Sequence, residues 1–99
     1  MVIVALDHVS RCYSAQDGEV IYQALAAAFA RRERVELSLH GVSDVPSSFV
    51  NAAMIPFVQA HGAPWVKEHL RITGATKQVA DMIRRCVTVA ERSVDAATV

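Results

Sequence analysis

The sequence has no excess charge of either sign, no clustered cysteines and no long apolar run, and each absence removes a class of function. Ten basic and ten acidic residues cancel to a formal net charge of +0. No field therefore gathers nucleic acid or holds the chain on an anionic membrane, and nucleic-acid binding is disfavoured. The only two cysteines, Cys12 and Cys86, are far apart and lack the CxxC or Cys/His spacing of a structural zinc site or a disulfide framework. They read as reduced thiols. No stretch approaches the roughly 20 apolar residues of a membrane span. The opening "MVIVALDHVS" lacks a basic leader and soon meets Asp7 and His8, so no signal peptide is expected and the chain is read as soluble and cytoplasmic. There is no repeat, low-complexity segment or linker. "GAT" at 74–76 lacks the lysine and second glycine of a phosphate loop, and no cofactor is expected.

At 99 residues the chain is long enough for one modest core and too short for two. With 53% apolar and 20% charged residues, it has the means to fold without a partner. Its first helical pattern is "DGEVIYQALAAAFARRE", with Asp17 expected as the cap and Val20, Ile21, Ala24, Leu25, Ala28 and Phe29 as the apolar stripe. Arg31, Arg32 and Arg34 suit the negative end of its dipole. In "RVELSLH", Val35, Leu37 and Leu39 alternate with Glu36, Ser38 and His40, the period of a strand buried on one face.

A second helical pattern follows Pro46, with Phe49, Val50, Ala53, Met54, Phe57 and Val58 on one side. Pro56 inside it predicts a bend or an early end between Ala52 and Pro56. Gly62 and Pro64 are read as its close. "VKEHLRIT" reads as a third strand, with Lys67, His69 and Arg71 on its polar side. The last helix is expected from Thr76, as cap, to Arg92, with Val79, Met82, Ile83, Cys86, Val87 and Ala90 buried. The expected fold is thus a single α/β domain over residues 1–92, β-α-β-α-β-α, with a small mostly parallel sheet and three helices on one face. A frayed tail is expected over 93–99.

Three stretches carry a family resemblance. "RVELSLHGVSDVPSSFVNAAMIPFVQAHG" resembles the centre of a STAS domain, the module of bacterial anti-sigma-factor antagonists and sulfate-transporter tails. With "SRCYSAQDGEVIYQAL" and "LRITGAT", it is most similar to the STAS-like domain family of unknown function. The resemblance implies a non-enzymatic regulator that binds protein, with partners of the anti-sigma kinase type, of histidine-kinase-like ATPase fold. In such antagonists the loop after this strand reads Asp-Ser-Ser-Gly, and a serine in it is phosphorylated, which ends binding. The serines fall on Ser47 and Ser48, with Ser48 the phosphoacceptor, while Pro46 and Phe49 replace the aspartate and the glycine. Asp44 stands two residues before Pro46.

The residues themselves leave two readings of the pair open. Ser47 can cap the helix by accepting an amide hydrogen bond, or a serine can be a regulatory hydroxyl at a helix start whose amides suit a phosphate. The expected partner surface comprises Asp44, Pro46, Ser47, Ser48, Phe49 and the neighbouring Asp17. The other open readings are a homodimer, a mobile-element inhibitor of bacterial or phage origin that acts without phosphorylation, and a small-ligand sensor. Glu36, His40 and His69 on one sheet face lack the spacing of a metal site. Trp65 is read as packed against the second helix, Cys86 as core, and no catalytic constellation is present.

Overall fold

A computed structural model describes residues 1–97, with side chains over 1–92. The chain runs β1 (Val2–Val4), α1 (Ala5–His8), α2 (Ala15–Ala30), β2 (Val35–Ser38), α3 (Ser47–Ala53), α4 (Ile55–His61), α5 (Ala63–His69), β3 (Leu70–Thr73) and α6 (Lys77–Ala97). The three strands are parallel in the order β1-β2-β3, with Ile3 opposite Leu37 and Leu37 opposite Ile72. The expected α/β class and parallel sheet are therefore present. The expectation of a frayed tail over 93–99 concerns two residues, 98–99, outside the described set; the backbone of 93–97 continues α6.

The sheet is buried on one face, as the alternation in β2 requires. Ile3, Val35, Leu37, Leu39 and Leu70 are buried against the helices, whereas Val2 and Arg71 are exposed and Val4, Glu36, Ser38 and Thr73 are half-buried. Phe49, Ile21, Leu25 and Val79 complete the inner core from α3, α2 and α6. Tyr22, Phe57, Phe29 and Trp65 extend it as a chain of stacked and edge-on rings 4.9–5.1 Å apart.

The second helix breaks at Met54 (φ −127°), inside the Ala52–Pro56 stretch where Pro56 predicts a bend or an early end: α3 ends there and α4 starts with Pro56 in its first turn. The proline therefore sits where its missing N–H costs nothing. The expected third strand is half helix: α5 takes residues 63–69 with Pro64 in its first turn, leaving only Leu70–Thr73 extended. Gly62, at φ +90°, closes α4 as expected, its N–H donating to the Val58 carbonyl, but it is also the cap of α5, whose first turn holds Pro64. Trp65 lies on α5, between the rings of His61 and His69, each 4.1 Å away. Lys67 and His69 are helical, and of the expected basic strand face only Arg71 remains.

Helix α2 also begins earlier than expected. Its cap is Ser14, and Asp17 is the third helical residue, in a reciprocal capping box. It ends with Arg32 in the left-handed region (φ 60°), with Arg32 N–H donating to the Phe29 carbonyl and Glu33 N–H to that of Ala28. These two bonds close a Schellman turn without glycine.

The approach of α2 to α3 is set by Gly18. A Cβ built there would lie 2.4 Å from the Phe49 carbonyl oxygen and 2.9 Å from the Ala52 Cβ. Gly18→Ala is expected to force the helices apart and cost about 1–3 kcal/mol. In a domain of this size that lowers the thermal midpoint by roughly 4–8 °C per kcal/mol, as calorimetry will read.

Candidate functional site

The candidate site lies at the carboxyl end of the sheet, where the turn after β2 and the turn after β3 meet. Gly74 (φ +69°) packs so closely that a Cβ would lie 2.9 Å from the His40 amide nitrogen. Thr76 ties the two turns together: its hydroxyl donates to the Ser43 carbonyl at 3.0 Å and accepts from Val79 N–H at 3.2 Å. The residue that caps α6 thus also anchors the segment leading to α3. Val42 and Val45, both buried, pin that segment from below.

Ser47 and Ser48 are the first two residues of α3, and both are exposed. The cap position belongs to Pro46 (φ −77°, ψ 160°), which has no side-chain donor or acceptor. Ser47 is therefore not the cap, because proline already supplies the extended backbone that a cap residue needs. Among the described residues neither hydroxyl has a hydrogen-bond partner. A small cleft of about 310 Å³ opens beside Ser47, lined by Asn51, Met82, Arg85, Cys86 and Val89. It brings the Arg85 cation close to the start of α3.

The other expected surface residues divide. Asp44 is exposed, with its Oδ1 accepting from Val45 N–H at 2.9 Å, and Pro46 is half-buried. Phe49 is fully buried, so its ring is core and cannot meet a partner. Asp17 is half-buried, and its Oδ2 accepts from Tyr13 N–H at 3.1 Å and Ser14 N–H at 3.2 Å. Its carboxylate is spent on its own helix, although Gly18 does bring that helix start against α3.

Thr76 was legible as a cap, but its bond to Ser43 spans 33 residues and had no local signal. Arg85 was missed because its neighbour Cys86 marks the buried side of α6. His69 lies on α5, where its Nδ1 donates to the Trp65 carbonyl at 2.8 Å. Among the described residues no group of three metal-ligating side chains occurs.

Cys12 and Cys86 are free and buried. Burial pushes the Cys12 thiol up to about 11, with the Asp17 carboxylate adding to the effect, and burial also raises Cys86 against a smaller opposing influence from Arg85.

These elements define a small α/β domain with helices on one face of a parallel sheet and a serine-bearing turn at its carboxyl end. The family model described as a STAS-like domain of unknown function matches residues 17–80. The chain belongs to that family. Comparison with the curated proteins and with the solved structures returned no match. No helix of the described residues is long and apolar enough to cross a membrane.

Two expectations are measurable. Thr76→Val removes both bonds and should cost about 1 kcal/mol in urea denaturation, whereas Ser47→Ala and Ser48→Ala stay within about 0.5 kcal/mol of the parent. For the thiols, the raised folded-state value at Cys12 means stability present below pH 9 and lost as the pH rises through about 11. Iodoacetamide at pH 8 should therefore label both cysteines far faster in the unfolded than in the folded chain.

Proposed function

We propose that the chain works by binding another protein through the turn before α3, and that a phosphate on Ser48 ends that binding. The observation that carries this reading is the pair of exposed hydroxyls at the start of α3, which have no capping duty and sit on a turn held by Thr76 and two buried valines. A hydroxyl that stabilises its own fold is a poor switch, because modification would disturb the structure. These two are free to react while the backbone beneath them stays fixed.

Phosphorylation of Ser48 adds nearly two negative charges at the contact. The resemblance to the sigma-factor antagonists suggests a kinase partner of the anti-sigma type, with histidine-kinase-like ATPase fold. Here that kinase must accept proline and phenylalanine in place of the antagonists' aspartate and glycine. Since Phe49 is buried, the second replacement alters the core beneath the turn and leaves the outer surface to Asp44, Ser47 and Ser48. The chain itself performs no chemistry in this reading.

The test is a pull-down from native host extract with the parent chain, Ser48→Ala and Ser48→Asp, quantified by mass spectrometry. The parent and alanine forms should recover the same partner, and the aspartate form should recover at least about tenfold less of it. Equal recovery by all three means that the serines are plain surface, and the domain is then a binding protein without a switch.

A further inference from the structure

A cleft of about 540 Å³ lies between the outer edge of β3 and α6. Leu70, Ile72 and Gly74 form one wall, Ile83, Arg84, Val87 and Thr88 the other, and Met54, Ala63 and Val66 the floor. Among the described residues β3 is an edge strand, paired only with β2. Thr73 O accepts from Leu39 N–H, so by the alternation of a parallel ladder Arg71 and Thr73 turn their backbone groups toward β2. Leu70 and Ile72 therefore turn theirs outward, into the cleft. The Leu70 N–H is taken by the Val66 carbonyl, which leaves the Leu70 C=O and the Ile72 N–H and C=O as a template beside an apolar trough.

We propose that this cleft binds an extended segment of a partner protein as a fourth strand, with apolar residues alternating with acidic ones. Backbone bonds to Ile72 fix the strand, and its apolar side chains enter the trough between β3 and α6. Its other side chains emerge on the open face beside Arg71. The ion pairs engage Arg31, Arg34 and Arg84; Arg71 makes none among the described residues and has Glu36 opposite it on the β2 side only. An acidic residue on the incoming strand places a carboxylate on its outer side, and the lining adds the cations Lys67 and Arg84 against the single carboxylate of Glu91. A second copy of this chain fits less well. The two-fold axis that pairs two β3 edges is perpendicular to the sheet, so both α6 helices would fall on the same face over the same junction.

The experiment titrates the ¹⁵N-labelled full chain with the blocked peptide acetyl-Thr-Val-Glu-Ile-Glu-Val-Thr-amide. A control carries the same side chains with every amide of its central five residues N-methylated. Expected are shifts confined to residues 70–74 and 83–88, slowed hydrogen exchange at the Ile72 amide, and no binding by the control. Arg71→Glu, at an exposed position, should weaken the peptide roughly fivefold and favour a version with lysine in place of glutamate by a similar factor. Unchanged Ile72 exchange at millimolar peptide overturns the proposal. So does equal binding of the N-methylated control, which would mark the cleft as a small-molecule site. Sedimentation as a dimer with the Ile72 amide already protected overturns it in favour of a second copy.

Discussion

The close approach of α2 to α3 at Gly18 is the constraint on which the rest of the structure depends. Because no Cβ intervenes between Gly18 and the Phe49 carbonyl, two helices separated by a whole strand begin side by side. Ile21 and Leu25 can then reach the same core as Phe49 and Val50, all fully buried. That shared core joins the inner face of β2, where Val35, Leu37 and Leu39 are buried. The start of α3 is thereby held from behind, and its exposed serines are presented on a rigid base.

The sheet divides the molecule into unequal halves. One side is dense with aliphatic and aromatic packing. The other presents Val2, Glu36 and Arg71, opposite one another across the three strands, with Val2 and Arg71 exposed. Three short strands would be marginal as an isolated sheet, and it is the helical layer that makes them persist. The turns at the carboxyl end are joined by Thr76 and by the contact of Gly74 with His40, so the serine-bearing segment depends on β3 as well as β2.

Much of this fold was legible because its signals are periodic. The alternation of 35–39 and the helical stripes of α2 and α6 are long enough to have one reading. The failures came where two patterns overlap. Residues 66–73 alternate loosely enough to read as a strand throughout, yet Gly62 and Pro64 begin a helix in which Val66 faces the core. At 14–17, Ser14 and Asp17 are both good caps, and the choice rests on which side chain meets the other's amide. At 46–48, proline displaced serine from the cap. Of the candidate site, the exposed Ser47 and Ser48 were readable from the turn; the burial of Phe49 and the position of Arg85 followed only from how α3 and α6 pack.

The bracketing of Trp65 by two imidazoles has a consequence of its own. It is the only tryptophan, and it stands on α5 in contact with His61 of α4 and with Phe29 of α2. Its emission therefore reports the junction of three helices without an added label. Any event that shifts α4 against α5 alters the ring stack, so the protein carries its own optical gauge of motion at that junction.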